Sequence, residues 1–281
     1  MRALLLSLAL LSAPVAAAAQ TIGTGVPEPL RGAWFAGACD DPQAMLALTA
    51  RAAVRIEADA PTRLFRFITL RPAAGYTLAT ATGPEAPRLM FRAIPQGLET
   101  IEPEAKTRDD RLPGDAAPVA WRRCATPPAA LAALHGEGIA FLGALEHLEA
   151  ACGSGPAGAC GAAILRQGDV SGDQRLAPAE LARLLRGAAW MLAAEDGATQ
   201  DALAAAMGAG GLAGILAARV LVESLDYDGD GRISLDELMQ DRGAGFARAH
   251  GTAAGRPLRL EGLTEGAGML RGLFEGLLGE E

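Results

Sequence analysis

The feature that most constrains this chain is a twelve-residue polar loop, residues 226–237, with the sequence Asp-Tyr-Asp-Gly-Asp-Gly-Arg-Ile-Ser-Leu-Asp-Glu. Its four spaced carboxylates belong to Asp226, Asp228, Asp230 and Glu237. The alternation of acids with glycines predicts a tightly coiled backbone, in which Gly231 allows the positive φ of a sharp turn. Because these carboxylates offer only oxygen ligands, the pattern favours a hard cation such as calcium over zinc or copper.

This loop resembles the calcium-binding loop of the EF-hand family, and the match holds at every ligand position. The resemblance implies six calcium ligands: Asp226, Asp228, Asp230, Arg232, Ser234 and Glu237. In the family pattern Arg232 contributes only its backbone carbonyl, Ser234 binds directly or holds a water, and Glu237 binds with both oxygens. The resemblance covers roughly residues 160–242 and implies calcium binding alone. Whether the ion signals or stabilises is left open by it.

A second, weaker copy of the loop lies upstream at residues 169–180. The matching ligand positions hold Asp169, Ser171, Asp173, Arg175 and Glu180. Gln174 stands where the turn favours glycine, and Ser171 replaces a carboxylate, so we expect a strained turn and a lower affinity. The loop either holds calcium weakly or serves as a structural partner. By resemblance to paired EF-hand loops, Leu176 lies opposite Ile233 in a short ladder.

The offset between the two loops is longer than is usual for paired EF-hands, and it predicts an extra helix between them. We place that helix at residues 199–207, with Thr199 as its N-cap. Apolar residues at helical spacing predict further helices at residues 180–194, 212–225 and 235–242. The core of a helical domain accounts for all these apolar faces.

The first residues of the chain predict export. Residues 1–19 have the pattern of a secretory signal peptide, with Arg2 before an apolar run and Ala17 and Ala19 before the cleavage site. That run is too short to span a membrane, and we expect no later segment to be long and charge-free enough to do so. The mature chain is therefore predicted to be soluble, and periplasmic or secreted.

Four cysteines in an exported chain predict two disulfides, for which three pairings exist. We favour Cys39–Cys124 and Cys152–Cys160. The first bridge closes a loop of about 85 residues and contributes about 4 kcal/mol by the chain-entropy estimate. No Cys-x-x-Cys occurs in the sequence, which argues against a redox or zinc role.

Residues 20–126 predict a disulfide-closed β-domain with six to eight short strands, arranged as a small antiparallel sandwich or barrel. The clearest strands are residues 63–70, 75–82 and 88–94, the last two flanking a hairpin turn. Gly32-Ala33-Trp34 on the first strand is similar to the corresponding stretch of lipocalin-like barrels. Trp34 and Trp121 are interpreted as core residues.

Pro127 and Pro128 mark a domain boundary, after which the chain becomes helical. Residues 127–255 are predicted as an all-α EF-hand domain, which makes the whole chain an α+β protein of two domains. The remaining residues, 256–281, form an amphipathic segment whose apolar residues are Leu263, Leu270, Leu273, Phe274 and Leu277. Its many glycines make it a poor helix by itself, so we expect it to pack on its own domain or on a partner.

Familiar catalytic patterns do not occur, since the sequence holds neither His-Glu-x-x-His nor Gly-x-Ser-x-Gly. His135 and His147 are interpreted as packing or surface residues. The net charge of −8 comes with no basic patch, which argues against nucleic-acid binding. We therefore predict an exported calcium-binding protein in which the ion is mainly structural. The alternatives are a calcium-dependent adaptor for another envelope protein and an enzyme with a structural calcium.

Overall fold

The computed structural model describes residues 25–240 of the 281-residue chain. The predicted signal peptide and the predicted C-terminal amphipathic segment lie outside the described residues. Within them, an antiparallel β-sheet comes first and a helical region follows. This order agrees with the predicted α+β arrangement.

The β-sheet has eight strands in the described range. They are β1 Gly32–Gly37, β2 Pro42–Leu48, β3 Ala52–Glu57, β4 Arg63–Ala73, β5 Tyr76–Ala81, β6 Arg88–Ile94, β7 Gly97–Ile101 and β8 Val119–Trp121. Each strand pairs antiparallel with the next one in sequence. Phe35 and Arg122 exchange two backbone hydrogen bonds of 2.9 Å between the first and last strands. The sheet is thus a nearly closed up-and-down barrel, one of the two forms predicted.

Apolar residues on both faces of the first strands explain where the core lies. Trp34, Phe65, Phe91 and Trp121 belong to a buried cluster to which all eight strands contribute, and this cluster fills the barrel. Phe35, adjacent to Trp34, belongs instead to a second cluster outside the barrel. Successive strand residues point to opposite faces, so β1, β2 and β3 are covered on both sides. Both tryptophans are core residues, as predicted.

The helical region contains five α-helices within the described residues. They are α1 Ala129–Cys152, α2 Ala157–Gly168, α3 Pro178–Glu195, α4 Gln200–Leu225 and α5 Leu235–Met239. Two short strands, β9 Arg175–Leu176 and β10 Ile233–Ser234, form a separate small sheet. Side chains of α1, α3 and α4 pack on the outer face of β1, β2 and β3, so the barrel and the helices share one apolar cluster.

The prediction of two helices at residues 199–207 and 212–225 is wrong, because α4 runs through both without a break. Gly210 and Gly214 lie against α3 within this continuous helix. A Cβ atom added at Gly210 lies 3.2 Å from the Ala189 Cβ atom, and one at Gly214 lies 3.4 Å from the Ala182 carbonyl oxygen. Thr199 caps α4 as predicted, since its hydroxyl accepts a hydrogen bond from the Ala202 N–H group at 3.4 Å.

Two disulfides tie the fold together, and they are the two favoured from the sequence. Cys39–Cys124 joins the loop after β1 to the segment after β8, beside the seam of the barrel. Cys152–Cys160 links the end of α1 to the first turn of α2. Together they set the path of the chain from the barrel into the helices that carry the two acidic loops.

Two of the described helices, α1 and α4, are long and apolar enough to cross a membrane by length and composition alone. This finding differs from the expectation that no segment after residue 19 meets that test. In the structure α1 packs against α2 and α3, and α4 packs against α3. Each of the two helices therefore has a protein neighbour along one face.

Candidate metal centre

Residues 226–237, the Asp226 loop, connect α4 to α5 and wrap around the side chain of Asp226. One oxygen of this carboxylate accepts hydrogen bonds from the N–H groups of Gly229 at 2.8 Å and Asp230 at 3.1 Å. The other accepts from Gly231 at 2.7 Å. Gly229 and Gly231 have φ angles of 76° and 79°, the left-handed region in which glycine carries no Cβ penalty. Asp226 thus organises the loop through its amides.

Glu237 closes the Asp226 loop from the first turn of α5. Its Oε1 atom accepts from the N–H groups of Tyr227 at 2.9 Å and Asp228 at 3.2 Å. Its Oε2 atom accepts from the Ser234 N–H at 2.8 Å and the Ser234 hydroxyl at 2.7 Å. These hydrogen bonds, led by that from the Ser234 backbone, lower the pKa of Glu237 to about 2. Glu237 is therefore a charged, nearly buried carboxylate at neutral pH.

Three carboxylates of the loop lie close enough to hold one ion. Ligand oxygens of Asp226, Asp228 and Glu237 all lie within 4.8 Å of one another. Oxygens that share one calcium ion, each 2.3–2.6 Å from it, are separated by at most about 5 Å. The set is made of carboxylate oxygens only, so the residues present fit a hard divalent cation.

The other three predicted ligands have different partners. One oxygen of Asp230 accepts from the Arg232 N–H at 2.9 Å, and the other is paired with the guanidinium of Arg175. The Ser234 hydroxyl belongs to a capping box, in which it accepts from the Glu237 N–H at 3.3 Å. The Arg232 side chain extends to Asp173 of the other loop. Asp230 would have to exchange partners to join the carboxylate cluster.

Residues 169–180, the Asp169 loop, repeat the hydrogen-bond pattern of the Asp226 loop. Asp169 accepts from the N–H groups of Gly172 at 2.6 Å, Asp173 at 3.2 Å and Gln174 at 2.8 Å. Gln174 has a φ of 64°, so a non-glycine residue occupies the left-handed turn conformation that the sequence predicted to be strained. The Asp169 loop is therefore a close copy of the Asp226 loop with a less suitable residue at its turn.

Glu180 closes the Asp169 loop as Glu237 closes the Asp226 loop. It accepts from the N–H groups of Val170 and Ser171 at 2.8 Å and of Ala177 at 2.9 Å. Burial acts to raise the pKa of Glu180, but these hydrogen bonds outweigh it and the pKa is lowered. Ala177 has no hydroxyl where the Asp226 loop has a serine. Among residues 25–240, the carboxylates of the Asp169 loop do not form a close group of three.

A short antiparallel ladder joins the two loops. β9 and β10 place Leu176 opposite Ile233 and Arg175 opposite Ser234, which is the pairing that the resemblance implied. The Leu176 and Ile233 side chains are 1% exposed and belong to an apolar cluster with residues of α2, α3 and α4. Because the ladder is part of this cluster, the position of each acidic loop depends on the helix packing.

Two arginines cross between the loops, which the sequence analysis did not anticipate. Arg175 of the Asp169 loop pairs with Asp230, and its Nη1 atom lies 3.6 Å from Asp228. Arg232 of the Asp226 loop pairs with Asp173. The available signal was that both arginines occupy the same position of their loops, Arg175 on β9 and Arg232 directly before β10.

Other polar groups of the structure are used in packing. A cavity of about 200 Å³ lies between the barrel and α1, and three of its charged side chains are already engaged: Arg66 pairs with Glu149, and Glu146 accepts from the Arg51 backbone N–H at 2.7 Å. His135 is fully buried and accepts a hydrogen bond from the Trp190 indole N–H at 3.1 Å. Burial lowers the pKa of His135 to about 4.

Comparisons of the chain with protein-family models, curated proteins and solved structures find no match.

Proposed function

We propose that this chain is an exported calcium-binding protein with a pair of EF-hand-like loops, of which the Asp226 loop is the stronger site. The observation that carries the proposal is the cluster of Asp226, Asp228 and Glu237, whose oxygens lie within 4.8 Å of one another. Asp230, the Arg232 carbonyl and Ser234 complete the proposed ligand set, as the resemblance implies. The Asp169 loop is the weaker partner, because it has fewer carboxylates and a non-glycine residue at its turn.

The proposed role of the ion is mainly structural. The two loops are joined by a ladder whose buried residues contact α2, α3 and α4, so an ion at the Asp226 loop ties α4 to α5 and supports that cluster. A ligand that binds only the folded state stabilises it in proportion to the logarithm of its concentration. Two disulfides favour an oxidising compartment, and calcium is abundant outside the cytosol.

Calorimetric titration with calcium, combined with thermal unfolding, tests this function. We expect a dissociation constant of roughly 10⁻⁶ to 10⁻³ M and a higher melting temperature in calcium than in chelator. Glu237→Gln should abolish most of the binding, because it removes the negative charge of the predicted bidentate ligand. Glu180→Ala is the matched control, since it changes the equivalent residue of the weaker loop and should leave the Asp226 site largely intact.

Unchanged binding in Glu237→Gln would show that calcium is held elsewhere. Loss of all binding in Glu180→Ala would reverse the proposed order of the two loops. A magnesium titration at the same concentrations supplies the selectivity test, because magnesium demands a smaller, more regular octahedral site.

A calcium-dependent adaptor is the second candidate, and the exposed face of α4 favours it. Several large apolar side chains of this helix are exposed: Leu212, Ile215, Leu216 and Val220. A sensor changes its exposed apolar surface when calcium binds, whereas a structural site changes only stability. Binding of an apolar fluorescent dye, measured in folded protein with calcium and with chelator, separates the two. A calcium-dependent increase would favour the adaptor.

A further inference from the structure

The crossed arginines give each acidic loop a cation from the other loop. Arg175 reaches Asp230 and Asp228, and Arg232 reaches Asp173, so the arrangement is reciprocal. The β9–β10 ladder sets this geometry, because Arg175 lies on β9 and Arg232 directly precedes β10. The guanidinium groups thus neutralise part of the charge of the loops.

Arg175 engages the carboxylates that the proposed metal site needs. Asp228 is a member of the close carboxylate cluster, and Asp230 is the next predicted ligand. Both oxygens of Asp230 are in use, one by the Arg232 N–H and one by Arg175. A cation that takes Asp230 as a ligand therefore competes with the guanidinium for the charge of this carboxylate.

We propose that Arg175 is a tethered counter-cation of the Asp226 loop, which stabilises the loop without metal and competes with the metal for Asp230 and Asp228. Arg232 has the same relation to Asp173 in the Asp169 loop. The competition between arginine and metal rests on the proposed function, whereas the stabilisation of the metal-free loops does not.

The two loops differ in how many of their ligand carboxylates contact an arginine of the other loop. Arg175 contacts two of the four ligand carboxylates of the Asp226 loop, and within residues 25–240 Asp226 and Glu237 have no arginine partner. Arg232 contacts one of the three ligand carboxylates of the Asp169 loop, Asp173. Each loop thus keeps two ligand carboxylates without an arginine, so the proposed order of the two loops rests on Ser171 and Gln174 and not on the crossed pairs.

The test is Arg175→Gln, measured with and without calcium. Without metal, in chelator, the variant should melt at a lower temperature than the parent chain, because Asp228 and Asp230 lose their counter-charge. In calcium titrations it should bind roughly two- to fivefold more tightly, the factor that corresponds to the usual strength of a partly exposed ion pair. Lower stability without the metal combined with tighter binding is the signature of a competitor.

Two control variants separate pairing from general charge effects. Arg166→Gln removes an equal charge from the exposed face of α2, close in sequence to the Asp169 loop. It should change the melting temperature in chelator and the calcium affinity less than Arg175→Gln does. Arg175→Lys keeps the charge but loses the planar fork of the guanidinium, and should fall between the parent chain and Arg175→Gln.

The proposal is overturned if Arg175→Gln and Arg166→Gln melt alike in chelator, or if Arg175→Gln binds calcium no more tightly than the parent chain. If the parent chain and every variant fail to bind calcium, the proposed function fails and the competition fails with it. In that case the melting temperatures in chelator still decide whether Arg175 stabilises the loops.

Discussion

Gln174 and Gly231 occupy the same position in the two acidic loops, with φ angles of 64° and 79°. Only glycine adopts this conformation without a Cβ penalty, and for other residues it costs about 1–2 kcal/mol. A glycine also loses more backbone entropy on folding, which offsets part of the gain. The residue at this one position therefore makes the turn of the Asp169 loop more strained than the turn of the Asp226 loop, although the two loops are otherwise similar.

We predict that Gln174→Gly stabilises the folded chain by about 0.5–1 kcal/mol and strengthens cation binding at the Asp169 loop. Thermal unfolding in chelator measures the first effect and calorimetry the second. The reverse exchange, Gly231→Gln, is the matched control and should destabilise the chain and weaken binding at the Asp226 loop. A lower stability of Gln174→Gly would contradict the assignment of strain to this turn.

At the residue scale, local patterns were sufficient to predict much of the site. Spacing alone predicted which residues line each loop, and the missing glycine predicted the strained turn at Gln174. The crossed pairs of Arg175 and Arg232 could not be predicted in this way. They depend on how two loops, 57 residues apart, are placed by the ladder and by the helices beneath it.

At the scale of elements, α4 has two different faces. Leu203, Gly214, Ala218 and Val222 are buried, and the helix packs along α3. The opposite face exposes Leu212 at 74% and Leu216 at 64%. An apolar stripe of this kind on a helix is typical of a surface that another segment covers. Apolar residues at helical spacing predicted a packed face for this region, but the sequence predicted two helices where the structure has the single helix α4.

We predict that residues 263–278 cover the exposed face of α4. Helix α4 ends at Leu225, ten residues before α5 begins at Leu235. The 22 residues 241–262 lie between the described part of the chain and residue 263, and they are long enough to lead back to α4. Deleting residues 263–281 should increase binding of an apolar dye and lower the melting temperature in calcium. A truncated chain as stable and as dye-silent as the full one would contradict the prediction and favour the adaptor.

Leu216→Ser supplies the control for that deletion. If the segment covers α4, this substitution should lower the melting temperature of the full chain by more than that of the truncated chain, since the contact exists only in the former. Equal effects in both chains would show that Leu216 has no partner in residues 263–281.

At the scale of the whole molecule, stability should depend on pH through His135. Its pKa is about 6.5 in an unfolded chain and is lowered to about 4 by burial between α1 and α3. The unfolded state therefore binds more protons as the pH falls below about 6.5, and stability that is fully present above this value is lost toward about pH 4. His135→Gln should flatten this dependence, which amounts to about 2 kcal/mol between about pH 7 and pH 5.

Chemical denaturation at several pH values measures this slope. The comparison concerns the slope and not the absolute stability, because the substitution also changes the packing beside Trp190. His147→Gln is the control, because His147 lies exposed on the same helix and its removal should leave the slope unchanged. A parent chain and a His135→Gln variant with parallel profiles would contradict the prediction. Glu237 does not contribute to the slope between about pH 5 and pH 7, because its pKa is lowered from 4.5 to about 2 and its carboxyl group therefore titrates at lower pH.

The sequence predicted the general plan of the molecule, from a region of six to eight strands to the two disulfides. Hairpins and helical periods are local signals, and four cysteines allow only three pairings. The sequence did not predict that β1, β2 and β3 are covered on both faces. Trp34 and Phe35 look alike in sequence, and only the docking of α1 and α3 sends one into the barrel and the other into the shared cluster.

The seam of the barrel has a consequence for how the chain assembles. Every other strand contact joins sequence neighbours, so these hairpins require only short loops to close and can form in the order in which the chain is made. The meeting of the first and last strands is different, because its backbone bridge joins Phe35 to Arg122, 87 positions further along the chain. The covalent link between Cys39 and Cys124 thus lies at the joint whose closure is entropically most costly. Such a barrel can be completed before the helical region folds, with the crosslink holding it as a finished surface on which the helices then assemble.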